Sequence, residues 1–390
     1  VKPNLPRPAA VLVALLLLLT VVEAPTPAGG RTARSAWATT TRRVAPGLTL
    51  TKIVAKKPRW RIFVLTANTA ARLTLDTALA GPEMPVRART SMIAAQEGAI
   101  AAVNGDFGSS FGGPAHPFAQ DGELVRTSVD AGRLFAWSKD ERNVFFAQPT
   151  QLVTAIDATG QSWTIDRWND GAPGVGEIAA FSPVGGTLAA PPPGSCSARL
   201  TPAGTVAPAP SGTGLAQTYT VEQTGCSESP FERNGGVVLS ALPASDEASR
   251  LMALTAGSSF TITWTFGWAN VYDAIGGVPM LVHDRADVVG DCTGSVCRRN
   301  PRTGVGVTSG GKILLVVVDG RQPKWSVGAT MHEFADIFLR LGASRALNLD
   351  GGGSSTMVVR GKVVNRPSDG FERRISTALL VLPGPDPDEP

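Results

Sequence analysis

Two aspartates stand directly behind apolar runs of strand type, Asp319 after Lys312–Val318 and Asp350 after Arg345–Leu349. A third acid, Asp106, follows the run Ala99–Val103 with Asn104 and Gly105 between. Carboxylates that share one crevice can pass a proton to or from a reacting group and can stabilise developing positive charge. Arg302, Arg321 and Arg374 each lie beside a segment containing Gly, Thr or Ser. A guanidinium fork holds phosphate through two parallel hydrogen bonds. The segment Asp350-Gly351-Gly352-Gly353-Ser354-Ser355-Thr356 lacks the lysine of a phosphate-binding P-loop, yet its glycines let backbone N–H groups face an anion. A turn needing positive φ would be served by one glycine. These residue types point to acid groups arranged around a bound anion.

Other patterns carry less. Gly108-Ser-Ser110-Phe-Gly112 matches G-x-S-x-G, but the following Gly113-Pro114-Ala115-His116-Pro117 cannot form the helix of a nucleophile elbow. His332-Glu333 opens like a zinc-protease helix, with Asp336 where the second His belongs. Glu333 has two readings, a site acid and a helix-capping carboxylate. Trp325 likewise suits either a stack on a sugar face or core packing. Cys196 and Cys226 lie in one Pro/Gly-rich stretch and Cys292 and Cys297 in another, so two local pairs are expected among the three connectivities that four cysteines allow. Neither pair has two-residue spacing and no His lies beside them, which argues against zinc and for two local disulfides in an oxidising compartment. No metal and no cofactor is expected.

The elements that must position these groups are legible between 302 and 382. Lys312–Val318 is a β-branched run, hence a strand buried on both faces. Met331, Phe334, Ala335, Phe338 and Leu339 recur at helical spacing, with a capping box at Thr330 and Glu333 and a stop at Gly342. Arg345–Leu349 is the next strand. Strand, helix, strand predicts a βαβ unit with two parallel strands. Ligands of open α/β sheets gather at the carboxyl ends of such strands, so one edge would carry Asp106, Asp319 and Asp350. Val358–Val364 reads as a hairpin across Arg360-Gly361, and Ile375–Leu382 as a closing strand. Trp60–Leu65, Arg72–Leu75, several segments between 134 and 165, and Phe260–Phe266 also read as strands, and Thr90–Gly98 as a short helix. Residues 183–236, rich in Pro, Gly, Ser and Ala, read as an irregular, disulfide-clipped insertion. The fold class expected is α+β: a strand-rich mixed sheet with a C-terminal βαβ unit and few helices.

Lys2 and Arg7 precede the apolar run Ala9–Val22. That run is short for a bilayer, which needs about 20 residues, and it reads as a signal peptide over 1–28. An uncleaved membrane anchor is the alternative. Residues 29–43 read as a linker, 44–382 as the catalytic body and 383–390 as a tail; the protein is expected to be secreted or at the cell surface. The composition, 43% hydrophobic and 17% charged over 390 residues, excludes intrinsic disorder. The net charge of +4 arises from nine basic residues in Arg31–Arg61 with no acid among them, so the rest of the chain is net acidic. That argues against a nucleic-acid partner.

Asn104-Gly105-Asp106-Phe107, Arg302-Thr303-Gly304-Val305-Gly306, Val318-Asp319-Gly320-Arg321, Ser326-Val-Gly328-Ala-Thr330 with Glu333, and Asn348-Leu-Asp350-Gly-Gly-Gly-Ser-Ser-Thr-Met357 together resemble the phosphodiester glycosidase family. The resemblance covers roughly 44–382 and is densest over 302–382. One departure is Gly108 after Phe107, where the family favours a second aromatic. The resemblance implies hydrolysis of a sugar-1-phosphodiester to sugar and phosphomonoester, the glycan or sugar phosphate being the partner. On this reading Asp350 and Asp319 are the central carboxylates and Glu333 the third. Arg302 and Arg321 hold phosphate with Ser354 and Ser355 as donors, Asn104 and Asp106 bind sugar hydroxyls, and Thr303, Gly351, Gly352 and Arg374 line the substrate. Two rivals are a metal-assisted phosphodiesterase attacking phosphorus and a non-catalytic surface glycan-binding protein.

Overall fold

The computed structural model describes residues 37–109, 112–128 and 132–384. The expected signal segment 1–28, the first part of the linker, Ser110 of the G-x-S-x-G match and the tail beyond Gly384 lie outside the described residues. The linker's second half is not a linker: Ala38–Ala45 is a strand paired antiparallel with Leu48–Lys56.

Strict alternation organises the main sheet. Along the strand Ile313–Val318, Ile313, Leu315 and Val317 enter one hydrophobic core while Leu314, Val316 and Val318 enter another. Side chains of a strand point to alternate faces, so a run apolar at every position requires cover on both. The sheet has eight strands in the order Ala38–Ala45, Leu48–Lys56, Arg59–Ala67, Ile313–Val318, Arg302–Thr308, Ala343–Asn348, Met280–His283, Ala286–Asp287, all antiparallel. The expected βαβ unit is therefore corrected. Ile313–Val318 and Ala343–Asn348 run the same way, but Arg302–Thr308 lies between them and pairs antiparallel with each. The α+β expectation holds only in part, since strands dominate and the described residues contain three α-helices.

The longest helix, Met331–Arg340, starts at the capping box predicted at Thr330 and Glu333. It buries Phe334 and Phe338 on one face of the sheet. Full burial of each ring contributes roughly 1.5–3 kcal/mol. Glycines in the strand beneath make the approach possible: a Cβ on Gly304 would stand 2.9 Å from Phe334, and one on Gly306 would stand 2.9 Å from Phe338.

The other face packs on a five-stranded sheet built from Leu73–Leu79, Ala101–Asn104, Met357–Val359, Lys362–Val363 and Thr377–Pro383. A third sheet, with Phe118–Gln120, Arg133–Ser138 and Val271–Gly277, joins that core through Phe118, Phe135 and Ile275 and turns Ala119, Leu134 and Ala136 toward a nine-stranded sheet. Here the reading of 183–236 as irregular is overturned. Cys196–Pro202 and Leu215–Cys226 are adjacent central strands of that nine-stranded sheet, and Ala198, Leu200, Tyr219 and Val221 lie in its core. Both expected disulfides, Cys196–Cys226 and Cys292–Cys297, are present. No helix among the described residues is long and apolar enough to cross a membrane.

Candidate active site

Register places the charged groups. Arg302 pairs with Val318 and Gly304 with Asn348, so Asp319, Arg302 and Asp350 emerge at one end of the main sheet. The neighbouring five-stranded sheet delivers residues 104–106 to the same end. Asp350 N donates to Gly105 O at 3.1 Å. Asn104 fixes the junction: its Nδ2 donates to Asp350 O at 2.7 Å, and its Oδ1 accepts from Thr303 Oγ1 at 2.7 Å and Thr356 N at 3.1 Å. Asn104 and Thr303 are fully buried and committed to this scaffold.

Two adjoining cavities meet at Asp350. The larger, 270 Å³, is lined among others by Phe107, Asn300, Arg302, Arg321, Asn348, Gly351, Gly352 and Arg373; the smaller, 150 Å³, by Arg87, Asp106, Ser354, Arg373, Arg374 and Ser376. Asp350 and Arg373 border both. Asp350 Oδ1 accepts from Gly351 N at 2.8 Å. Enclosure pushes its carboxyl up to about 6 and nearby Asp106 adds to the rise, while Ser354, Gly351 N and Arg373 pull the other way. A carboxyl poised near neutrality is suited to proton transfer.

Asp106 is held from its own side. Its Oδ1 contacts His116 Nδ1 at 2.6 Å and accepts from Phe107 N at 2.6 Å, and its Oδ2 accepts from His116 N at 2.8 Å. His116 is itself buried. The smaller cavity thus presents two acids, one fixed by a histidine and one with a raised proton affinity.

The glycine loop lies under two guanidinium groups. A Cβ on Gly352 would stand 3.0 Å from Arg321 Nη2, and one on Gly353 would stand 2.1 Å from Arg373 Nη2. The loop therefore lets both cations sit against backbone. Arg321 is oriented by Asn300 Oδ1, which accepts from Nε at 3.1 Å and Nη2 at 3.0 Å. Arg373 is oriented by Asp369 Oδ2, at 2.7 Å from Nη2. Arg302 differs. Its guanidinium donates to the carbonyls of Ala329, Val296 and Arg298, and burial followed by the charge of Arg321 lowers it to about 10. It remains a cation at neutral pH, with Nε committed to Ala329 and Nη2 to Val296 and Arg298, in and just after the loop closed by Cys292–Cys297. Ser295 and Val296 of that loop wall the larger cavity.

Several expected site residues lie elsewhere. Asp319 lines neither cavity: Trp325 Nε1, Asn365 Nδ2 and Arg366 N all donate to its carboxylate. Burial raises it and those donors oppose the rise. Glu333 is occupied by the helix cap, accepting from Thr330 N at 2.9 Å, and by an ion pair with Arg299. Ser355 is buried and borders neither cavity. Trp325 carries Arg61 over its ring at 4.7 Å from the centroid and anchors Asp319. The sequence reading missed His116, Arg373, Asn348 and Ser376 as site residues. Arg373 stands beside Arg374 and Asn348 within a quoted motif, whereas His116 carries no local signal. Asn348 borders the larger cavity and Ser376 the smaller, though Asn348 Oδ1 and Ser376 Oγ are themselves buried without a hydrogen-bond partner.

Residues 213–382 match the family model described as phosphodiester glycosidase. Over 91 residues the chain is 40% identical to the SPbeta prophage-derived protein YomE of Bacillus subtilis, covering 23% of this chain and 14% of that one. Over 87 residues it is 37% identical to the N-acetylglucosamine-1-phosphodiester alpha-N-acetylglucosaminidase of Bos taurus, covering 20% and 16% respectively. The matched segments are thus a small part of those curated relatives. Among solved structures, a hypothetical protein from Synechocystis superposes with a TM-score of 0.68 at 20% identity, covering 89% of this chain and 64% of that one. A protein from Burkholderia pseudomallei K96243, named for its expected export, superposes at 0.65 and 20% identity, covering 90% and 97%. These two show a shared fold.

Proposed function

We propose, from the match of residues 213–382 to the family model described as phosphodiester glycosidase, that the chain is an exported hydrolase that cleaves the C1–O bond of sugar-1-phosphodiesters. The observation that carries this reading is Asp350: a carboxyl raised to about 6, shared by two cavities and flanked by Arg321 and Arg373. The C1–O bond breaks with its electron pair going to the phosphate oxygen. Water adds its oxygen to C1 and gives up a proton. The products are the free sugar and a phosphomonoester.

Phosphate is a good leaving group, so the chain's main tasks are to activate water, stabilise charge at C1 and hold the anion. Asp350 takes the water proton. Asp106, held by His116, supplies negative charge beside C1. Arg321 and Arg373 receive the phosphate, and the charge of Arg302, in the wall of the larger cavity, supports them. N-acetylglucosamine-like or cell-envelope sugar phosphates suit an exported protein, and the two disulfides fit an oxidising compartment.

Hydrolysis in water labelled with heavy oxygen tests the bond cleaved. Label in the sugar is expected. Label in the phosphate would mean attack at phosphorus and would overturn the reading, and a loss of turnover with chelator would add a metal to that outcome.

A further inference from the structure

The loop Cys292–Cys297, closed by a disulfide between residues five positions apart, walls the larger cavity through Ser295 and Val296. Packing holds it weakly. Residues 293–296 and 298–299 are exposed, and a Cβ on Gly294 would meet nothing within 4 Å. Yet both guanidinium groups on this side of the cavity depend on it. Arg302 Nη2 donates to Val296 O at 2.6 Å and to Arg298 O at 2.7 Å.

Arg321 is reached through Asn300. The Asn300 backbone is fixed independently, its N and O pairing with Ala329 at 3.2 and 3.0 Å. Its side-chain amide can present either an acceptor or a donor to a neighbour, and only the acceptor suits a cation. The loop decides which. Asn300 Nδ2 donates to Ser295 O at 3.0 Å and to Arg298 O at 3.1 Å, which turns Oδ1 to accept from Nε and Nη2 of Arg321. Arg302 and Arg321 are also like charges close enough to interact, since Arg321 lowers the proton affinity of Arg302. Oxygens set against each guanidinium offset that repulsion.

We infer that this disulfide-closed loop is the positioning element of the anion subsite: the Cys292–Cys297 link holds the carbonyls of Ser295, Val296 and the adjoining Arg298, and these fix Arg302 directly and Arg321 through Asn300. The inference rests on reading the larger cavity as the phosphate subsite. The two cysteines touch no substrate and act through the arginines. Opening the link returns freedom to an exposed chain segment, which scatters the carbonyls and loosens both cations. Asp350 and Asp106 are held instead by Gly351, Phe107 and His116, so the loop governs anion affinity and not proton transfer.

The test titrates inorganic phosphate into wild type, the double variant Cys292→Ser/Cys297→Ser and Asn300→Ala by calorimetry. Steady-state kinetics follow on the methyl phosphodiester of N-acetylglucosamine 1-phosphate. Both variants should bind phosphate about tenfold more weakly, an effect the size of one lost hydrogen bond. The double variant should raise KM about tenfold, with kcat and the acid limb near pH 6 unchanged. A lower thermal midpoint with wild-type phosphate affinity and KM would make the disulfide merely structural and overturn the inference. Wild-type protein that binds no phosphate at tens of millimolar would overturn it too. Turnover with KM unchanged in the double variant refutes the loop's role and leaves hydrolysis standing. Phosphate binding that weakens in both variants, with no turnover in any, supports the loop and refutes the hydrolase. Should the double variant fail to fold, Asn300→Ala keeps the disulfide, and unchanged phosphate affinity there is equally decisive against the inference.

Discussion

Asp319 and Asp350 make a natural comparison. Each follows a strand that flanks Arg302–Thr308, each emerges at the same end of one sheet, and burial raises the carboxyl of both. Their surroundings separate them. Asp319 receives donors from Trp325, Asn365 and Arg366 and lines neither of the two cavities at Asp350. Asp350 keeps a face toward two cavities and two cations. A carboxylate surrounded by protein donors is a tether for the chain segments that donate to it. One with an open face can meet a substrate. Position at a strand end is shared by both, so the donor inventory decides between the roles.

The largest expected effect follows from this contrast. Asp350→Asn should lower turnover of a sugar-1-phosphodiester by about 10²–10⁴-fold, the range for loss of a proton-transferring group. Asp319→Ala, in whatever fraction folds, should retain turnover within a few-fold. Steady-state kinetics on protein matched for folded content checks both. Equal losses in the two variants would erase the distinction.

Stability should move the opposite way. Asp319→Ala leaves Trp325 Nε1 and Arg366 N without their acceptor and Asn365 Nδ2 with Ser355 O alone, at a cost of at least about 2 kcal/mol. Asp350→Asn should stabilise at high pH. The folded Asp350 carboxyl, at about 6, holds its proton more tightly than at its ordinary 3.8. Relative to its protonated form the group therefore costs nothing below about 4, and as pH rises through about 6 the cost approaches about 3 kcal/mol. Denaturant midpoints should favour Asp350→Asn at pH 8 and converge with wild type near pH 4. The same group should place the acid limb of turnover near pH 6, and that limb should vanish in the residual activity of Asp350→Asn.

How far the sequence revealed this contrast depends on how local each signal is. The run Ile313–Val318, the cap at Thr330 and the cysteine pairs are local, and all three were readable. The insertion of Arg302–Thr308 between the flanking strands was not, because strand order is a long-range choice that leaves no periodicity. Residues 183–236 misled for a related reason. Their Pro and Gly content signalled turns, while the alternation of Ala198 with Leu200 and Tyr219 with Val221 carried the buried face. Within the site, the glycine loop and Asp350 stood out by composition. Nothing local told Asp350 from Asp319, since the donors that close off Asp319 come from 6, 46 and 47 residues away. Nor did spacing reveal that His116 secures Asp106.

The smallest effect concerns Glu333, which the sequence left between acid and cap. The structure commits both of its oxygens, one to Thr330 N and one to Arg299. Glu333→Ala should therefore cost about 1 kcal/mol, as for loss of a helix cap, and leave kcat essentially unchanged. Glu333→Gln, which can still accept from Thr330 N, should recover most of the cap and lose only the exposed ion pair, worth about 0–1 kcal/mol. Measured midpoints should rank wild type, then Gln, then Ala. A drop in kcat for Glu333→Gln without a drop in stability would instead return Glu333 to the chemistry and make the cap incidental.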